Sequence, residues 1–211
     1  MGTTPELIPK YNAIFQEQLK RGIIEKIGNT TDGTNTLVHY IPHHAVIREQ
    51  RATTKVRIVF DASAKSKKSN PSLNDCLYRG PVMLQNLVGL LLRFRISRVA
   101  IVGDIEKAFL QIGLLEPDRD VVRFIWLKDP TKLSTQNNLQ IYRFARVPFG
   151  VVSSPFLLGA TISYHLQQEG SDFAKNILHN IYVDNVFGGS LPMTMLCNSI
   201  TDLKHCLKNP L

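Results

Sequence analysis

The stretch Ile177-Leu-His-Asn-Ile-Tyr-Val-Asp-Asn-Val-Phe-Gly-Gly189 predicts a β-hairpin around which the rest of the chain is organised. It has an apolar strand, a tight Asp-Asn turn, and a second apolar strand that runs into two glycines. An Asp-Asn pair between apolar runs favours a two-residue turn, because both residues tolerate a positive φ. In the simpler interpretation Asp184 only shapes this turn. In the alternative, the turn presents Asp184 as a ligand of a divalent metal ion, which requires a second carboxylate from elsewhere in the chain.

A candidate for that second carboxylate is Asp104, which follows the apolar run Val99–Val102 after one glycine. A continuous apolar run is typical of a strand buried on both faces. An unpaired carboxylate is costly to bury, so Asp104 must reach solvent, a cation or a hydrogen-bond donor, and capping the next turn would also satisfy it. If the Asp184 hairpin is the sheet neighbour of this strand, the two carboxylates can bridge two Mg²⁺ ions roughly 3.5–4 Å apart.

The charge balance is basic, since 25 Lys+Arg against 17 Asp+Glu give a formal net charge of +8. Such an excess favours a polyanionic partner, most simply nucleic acid. Three cysteines without a Cys-x-x-Cys pair argue against a disulfide framework and predict a reducing, intracellular compartment rather than secretion. The longest apolar run, Leu87–Leu92, is too short to span a bilayer, so no membrane partner is expected.

Periodicity and turn chemistry predict helices that alternate with hairpins, and hence an α+β fold. The expected helices are Pro9–Arg21, a segment from Pro81 to Phe94, a segment from Ser153 to about Gln168, and a last amphipathic helix marked by Leu196, Ile200, Leu203 and Leu207. The expected hairpins pair Leu37–Ile47 with Val56–Phe60, and Val121–Trp126 with Leu139–Phe144. Residues 28–36 and 61–75 are expected to be polar loops.

Four motifs resemble those of reverse transcriptases and follow one another in the same order. Val102-Gly-Asp-Ile-Glu-Lys-Ala-Phe-Leu-Gln-Ile112 resembles their first catalytic motif, and Val147-Pro-Phe-Gly-Val-Val-Ser-Ser-Pro-Phe156 resembles their Leu-Pro-x-Gly…Ser-Pro motif. Tyr182-Val-Asp-Asn185 resembles their Tyr-x-Asp-Asp motif. Val56-Arg-Ile-Val-Phe-Asp-Ala-Ser63, together with Asn70-Pro-Ser-Leu-Asn-Asp75, resembles their finger region.

Within this family, the segments Tyr40-Ile-Pro-His-His-Ala-Val46 and Phe60-Asp-Ala-Ser-Ala64 are most similar to Pao/BEL long-terminal-repeat retrotransposons. The resemblance covers nearly the whole chain. It implies a right-hand polymerase fold, in which an antiparallel palm sheet backed by helices is interleaved with a fingers subdomain. Residues 1–80 and 112–153 would form the fingers, and residues 81–111 and 154–211 an incomplete palm. The thumb and the RNase H region are expected to be absent, as in a polyprotein fragment or a decayed copy.

The resemblance also implies residue roles. Asp104 and Asp184 would bind the two Mg²⁺ ions, with the backbone carbonyl of Ile105 as a further ligand, and Asn185 stands where the motif has its second aspartate. The nucleotide would be bound by Lys55, Arg57, Lys107, Ala108, Phe109, Phe149 and Gly150, and Tyr182 would lie against the primer end.

Several of these roles have a plainer alternative. Lys55 and Arg57 match the basic finger residues that hold the triphosphate, but they would otherwise be interpreted as a solvated strand face. Lys107 and Ala108 would offer backbone N–H groups to the phosphates. The ring of Phe109 would exclude a ribose 2′-hydroxyl, but it would otherwise be interpreted as a core residue.

Two groups of side chains outside the motifs have candidate roles. Arg143 and Arg146 are candidates for contact with template phosphates, because they carry positive charge. Three histidines, His39, His43 and His44, are candidates for a metal site, because imidazole is the commonest transition-metal ligand. No cysteine or carboxylate completes a set beside them, so a structural role is expected.

The function implied is RNA-templated DNA synthesis from dNTPs on a DNA primer, inside the cell, in a cytoplasmic retroelement particle or the nucleus. Because Asn185 is neutral, the site has one formal charge less with which to hold Mg²⁺, and weaker Mg²⁺ affinity with Mn²⁺ as an alternative ion is expected. A second interpretation is a catalytically silent nucleic-acid-binding remnant. A third is another palm-fold polymerase, such as an RNA-dependent RNA polymerase, against which Phe109 argues.

Overall fold

The computed structural model describes residues 7–28, 37–47, 56–97 and 100–189, and these form a mixed α+β structure with small antiparallel sheets. The helices are α1 Leu7–Lys20, α2 Leu73–Cys76, α3 Leu87–Ile96, α4 Ser154–Glu169 and α5 Asp172–Asn180. The strands are β1 Ile24–Ile27, β2 His43–Ile47, β3 Val56–Phe60, β4 Ala100–Asp104, β5 Arg123–Leu127, β6 Leu139–Phe144, β7 Ile181–Tyr182 and β8 Asn185–Gly189. Short 3₁₀ helices span Ala108–Gln111, Glu116–Val122 and Gln136–Asn138. None of the helices described here has the length and apolar character that crossing a membrane requires.

The chain divides into two compact units. Unit 1 contains residues 1–77 and 114–152, and unit 2 contains residues 78–113 and 153–211. These bounds lie within three residues of those expected for the fingers and palm. The identification of the units as fingers and palm remains a prediction.

The larger sheet of unit 1 has the order β1-β6-β5 and is antiparallel throughout. The predicted hairpin of β5 and β6 is confirmed. Strand β1 was not predicted, because four residues are too short to show a period clearly. It begins just after Gly22, whose φ of 63° turns the chain out of α1. The helix α1 itself is confirmed as predicted, within two residues at its start.

An aromatic core fills unit 1 between α1 and the strands. Its largest fully buried side chains include Phe15, Phe124, Tyr142 and Phe144. The rings of Phe124 and Phe15 stack with their centroids 5.0 Å apart, and Phe124 also lies 5.4 Å from Phe144. The second, two-stranded sheet of unit 1 pairs β2 with β3, which confirms that hairpin, although residues 37–42 are not part of strand β2.

The sheet of unit 2 has the order β4-β8-β7 and is antiparallel. The prediction that its first strand is buried on both faces was wrong. Residues of β4 alternate between exposed and half-buried, and Val102 is 52% exposed. In the described part of the chain β4 is an edge strand with β8 as its only sheet neighbour, so an apolar run here does not imply two covered faces.

The helix expected to open at Pro81 begins six residues later, at Leu87. Asn86 caps it, since its side-chain oxygen accepts a hydrogen bond from the Gly89 N–H over 2.9 Å. The preceding segment lies against α4 instead: a Cβ on Gly80 would come within 2.2 Å of the Phe156 ring. Met83 of this segment also lies against α4, since a Cβ on Gly159 would come within 3.1 Å of the Met83 Cβ.

Other predictions were confirmed in part. The helix α4 was predicted within one residue at each end, although the Ser153 side chain makes no capping hydrogen bond. The predicted loop 61–75 contains the short helix α2, opened by a capping box of Ser72 and Asp75. The linker 29–36, the turn 48–55 and the last amphipathic helix all lie outside the described residues.

Candidate functional site

The central hairpin differs from its prediction in register. Its turn is Val183–Asp184 rather than Asp184–Asn185, because Asn185 pairs with Tyr182 and begins β8. The first strand is only two residues long, since α5 continues to Asn180. Val183 has a φ of 57° and Asp184 does not have a positive φ, which is the pattern of a type II′ turn. A β-branched residue at this position is strained, because such turns favour glycine there.

The two aspartates lie at the same end of the unit 2 sheet. Asp104 is directly opposite Asn185 in the β4–β8 ladder, and the Ile105 N–H donates to the Asp184 carbonyl over 2.8 Å. The expectation that the hairpin neighbours the Asp104 strand is therefore confirmed. Asp104 is exposed and Asp184 is half-buried. Both carboxylates thus remain open to a ligand from solvent.

Asn185 makes a direct contact with one of these carboxylates. Its side-chain N–H donates to Oδ1 of Asp184 over 2.8 Å. An aspartate at position 185 would instead place a second negative charge beside Asp184. The amide therefore occupies part of the coordinating capacity of Asp184 and lowers the charge available to a cation.

The donor set suits a hard divalent cation that keeps other ligands. Within the described ranges, no cluster of three or more His, Cys, Asp or Glu side chains could hold a metal ion. The available oxygens are those of Asp104, Asp184 and the Ile105 carbonyl. Mg²⁺ commonly binds through one or two carboxylates, with waters and substrate phosphates completing its shell. A cation here would accordingly need further ligands from water or from a bound anion.

The turn after β4 is internally hydrogen-bonded. Lys107 adopts the left-handed conformation, with φ 52° and ψ 40°, and its carbonyl accepts from the Leu110 N–H over 2.8 Å. The Ala108 N–H donates to the Ile105 carbonyl over 3.2 Å. Two groups expected to contact a metal ion and a phosphate are therefore bonded to each other. A metal ion could still use the second lone pair of the Ile105 carbonyl, whereas a phosphate would compete for the Ala108 N–H. Phe109 is half-buried.

The predicted nucleotide-binding residues of unit 1 lie on two separate elements, strand β3 and the loop after β6. Arg57 is exposed on β3, opposite Val46 of β2, and Lys55 lies outside the described residues. Phe149 is 48% exposed on the loop after β6. Gly150 has a φ of 89°, and a Cβ there would come within 2.6 Å of the Phe60 carbonyl oxygen, so only glycine fits.

Asn74 holds this loop in place, and sequence reasoning missed it. Its side-chain N–H₂ donates to the Gly150 carbonyl over 3.0 Å and to Oγ of Ser63 over 2.9 Å. Its side-chain oxygen accepts from the Val152 N–H over 2.8 Å. The only signal available was its place in the finger-region motif, because its partners on the Gly150 loop are 76 and 78 positions away.

Arg143 does not have the exposure that contact with template phosphates requires. Its side chain is 15% exposed and donates to Glu25 over 2.5 Å and to Asp120 over 3.0 Å. Burial acts to raise the pKa of Asp120, but the hydrogen bonds and charges of Arg143 and Arg123 outweigh it and hold that pKa below its usual range. Arg143 therefore stabilises unit 1. Burial, with the charge of Arg119 adding to it, lowers the pKa of Arg146.

His43 has a structural role, as expected. Its Nε2–H donates to the Ile125 carbonyl over 3.0 Å, and its Nδ1 accepts from the Tyr11 hydroxyl. Its ring lies within the aromatic core, 5.4 Å from Phe60 and 5.6 Å from Phe124. Burial lowers the pKa of His43, although the Ile125 carbonyl partly opposes this. The neutral ring fits this pair of partners.

The predicted site residues divide between the two units. Unit 2 contains Asp104, Ile105, Lys107, Ala108, Phe109, Tyr182, Asp184 and Asn185, and unit 1 contains Arg57, Phe149 and Gly150. Within unit 2 the structure brings the motif residues Asp104, Asp184 and Asn185 together. No known protein-family model matches the chain, and no curated protein matches it significantly.

Proposed function

We propose that this chain is the fingers and palm portion of an RNA-directed DNA polymerase of a Pao/BEL-type retrotransposon. The observation that supports this most is the pairing of β4 with β8, which sets Asp104 opposite Asn185 and beside Asp184. Two carboxylates from distant motifs then share one sheet end, as two-metal phosphoryl transfer requires. The net charge of +8 suits a nucleic-acid substrate.

In this proposal, the 3′-hydroxyl of a DNA primer attacks the α-phosphate of a dNTP opposite an RNA template, and pyrophosphate leaves. Asp104 and Asp184 would hold two Mg²⁺ ions at the sheet end, with the Ile105 carbonyl as a further ligand, and the bound ions would supply charge stabilisation to the attacking and leaving oxygens. Arg57, with Lys55, offsets the charge of the triphosphate. The ring of Phe109 lies under the sugar and excludes a 2′-hydroxyl.

The test is incorporation of dNTPs on an RNA template with a DNA primer, in Mg²⁺ and in Mn²⁺. Asp104→Ala removes a metal ligand, and the rate should fall by about a thousandfold or more, since metal ligation contributes several kcal/mol. Asp118→Ala removes an exposed carboxylate of unit 1 and should leave the rate unchanged. Equal rates in Asp104→Ala and the unmodified chain would contradict the proposal.

Asn185→Asp tests the role of the neutral amide. It removes the hydrogen bond to Asp184 and restores a second charge, so the Mg²⁺ concentration required for half-maximal rate should fall. The benefit should be smaller in Mn²⁺. A Mg²⁺ titration that is the same in both chains would show that the amide does not limit metal binding.

A second candidate function is binding of nucleic acid without turnover. The hydrogen bond from Asn185 to Asp184 favours it, because an amide that satisfies a metal-binding carboxylate makes an empty site more stable. If neither the chain nor Asn185→Asp incorporates dNTPs, fluorescence anisotropy with an RNA–DNA hybrid should still detect binding. Its affinity should fall steeply with salt, since the contacts would be to phosphates.

The Phe109 ring favours the first candidate over an RNA polymerase, because a ring under the sugar would exclude a ribose 2′-hydroxyl. Phe109→Ala should admit ribonucleotides that the unmodified chain rejects. Incorporation assays with each class of nucleotide provide the comparison, and a Phe109→Ala chain that still rejects every ribonucleotide would remove the gate from the proposal.

A further inference from the structure

Helix α3 contacts both ends of the Asp184 hairpin through two adjacent residues. Arg93 donates from Nε to Oδ1 of Asn180 over 3.2 Å, and from Nη2 to the His179 carbonyl. Phe94 packs edge-on against Phe187 with the ring centroids 5.5 Å apart. Asn180 directly precedes β7, and Phe187 lies in β8. The two strands that carry the turn are therefore both held from the same helix.

The contact of Arg93 with α5 has a clear electrostatic basis. The last carbonyls of a helix have no partner within the helix and carry partial negative charge. The guanidinium of Arg93 satisfies one of them, that of His179, and Asn180 at the same time. Asn180 is in turn fixed by its own amide, which donates to the carbonyl and the side chain of Asn176, each over 3.0 Å. The fork of an arginine is suited to two acceptors at once, whereas a lysine ammonium is not.

Dense packing does not replace this contact, because a cavity of about 200 Å³ lies beside it. Its lining includes Arg93, Phe94, Asn176, Asn180 and Phe187. Because this cavity borders the residues at which the hairpin begins, the side chains that cross it matter for holding the hairpin in place. The loss of Arg93 would leave the junction of α5 and β7 to the buried side chains of Ala174 and Ile177 and to the pairing of β7 with β8.

We infer that Arg93 is a positioning residue for Asp184: it clamps the end of α5 and so steadies the first strand of a hairpin whose second strand the β4–β8 ladder sets opposite Asp104. The catalytic meaning of this clamp rests on the function proposed above. The clamp itself is a property of unit 2 and can be tested without turnover. The clamp is formed by Arg93, His179 and Asn180, and none of them lies in the motifs that resemble reverse transcriptases.

Hydrogen–deuterium exchange of the full chain tests the clamp directly. Arg93→Gln should speed exchange of the amides in Ile181–Gly189 by about tenfold, because two hydrogen bonds from a charged donor are lost at the hairpin base. Amides of β5 and β6 in unit 1 should be unchanged. Arg93→Lys keeps a cation near the end of α5 but not the fork, so its exchange should lie between the two.

A matched control is Arg95→Gln. It removes the same charge from the same helix, and Arg95 makes no hydrogen bond or ion pair with any residue that the structure describes. Exchange in Ile181–Gly189 should match that of the unmodified chain. An equal increase in Arg95→Gln, or no increase in Arg93→Gln, would overturn the inference.

The dNTP incorporation assay then distinguishes the clamp from the proposed chemistry. If Arg93 positions Asp184, Arg93→Gln should lower kcat by about tenfold while KM for the dNTP stays unchanged, with partial rescue in Arg93→Lys. A change in KM alone would overturn the positioning role. If the unmodified chain incorporates nothing, the proposed function fails, but faster exchange of the hairpin in Arg93→Gln still supports the clamp.

Discussion

The two units use their charged and aromatic residues in opposite ways. In unit 1, Arg143 is bonded to Glu25 and Asp120, and the ring of Phe124 has no exposed surface. In unit 2, Asp104 is exposed on an edge strand, and the turn before Asn185 is strained at Val183. Arg143, Glu25 and Asp120 of unit 1 thus satisfy one another, whereas unit 2 keeps the Asp104 carboxylate accessible and supports its hairpin from α3.

The residues that stabilise this protein and the residues of its candidate site are different, and the two units show why. A carboxylate that already has an arginine partner has little capacity left for a cation, so a binding site must omit such partners. The omission costs stability, which has to come from residues elsewhere. Unit 1 is therefore expected to be sensitive to truncation of its core, and the Asp104 strand of unit 2 to be tolerant.

Truncation of an aromatic ring should show the largest contrast. Phe124→Ala should lower the free energy of unfolding of unit 1 by about 4 kcal/mol, because the ring contacts the aromatic core on several sides. Val102→Ala on the exposed face of β4 should lower the free energy of unfolding of unit 2 by less than about 1 kcal/mol. Urea unfolding monitored by Trp126 fluorescence and by circular dichroism measures both. Equal losses would remove the contrast between the units.

Loss of one ion-pair partner comes next. Arg143→Ala removes the shared cation of Asp120 and Glu25, which keep Arg123 and Arg119 as partners, and should cost about 2 kcal/mol. The control is Arg21→Ala, whose pair with Glu17 has side chains 52% and 49% exposed and should matter by less than about 0.5 kcal/mol. The same urea titration compares them. A cost for Arg143→Ala no larger than that for Arg21→Ala would show that the network is not a stabilising feature.

The pH dependence of unit 1 should report His43. Its pKa in the folded chain lies below the usual 6.5, so the unfolded chain takes up the proton first as the pH falls. The stability due to the neutral ring is fully present above pH 6.5 and is lost as the pH drops through the interval down to the folded pKa. Urea midpoints between pH 8 and pH 5 should show this decline. In His43→Phe this part of the slope should disappear, and an unchanged slope would assign it to another group.

Relief of turn strain should give the smallest effect. Val183→Gly matches the residue that a type II′ turn favours, and the free energy of unfolding should rise by about 1 kcal/mol. The same substitution at Val102, in a regular strand, should instead lower it by a similar amount. Thermal unfolding of the two variants checks the opposite signs. A loss of stability in both would mean that the positive φ of Val183 carries no strain.

Much of the fold follows from local patterns. The helices α1 and α4 and the hairpin of β5 and β6 were predicted close to their observed bounds, because their signals lie within a few consecutive residues. The pairing that brings Asp104 to the Asp184 hairpin was also expected. The start of α3 was not, since Asn86 caps the helix and the preceding Gly80 and Met83 lie against α4, which the apolar pattern does not record.

The amino-acid sequence alone therefore predicts the α+β class, the basic charge, the main helices and hairpins, and the two aspartates of the candidate metal site. It does not establish which side chains those aspartates meet. Asn185 belongs to a strand rather than to the turn because it pairs with Asp104 and Tyr182, and Arg143 reaches Glu25 across 118 positions. Several groups from distant parts of the chain could form a hydrogen bond with the same donor or acceptor. The outcome depends on which of them the folded backbone brings within about 3 Å, and no local pattern records it.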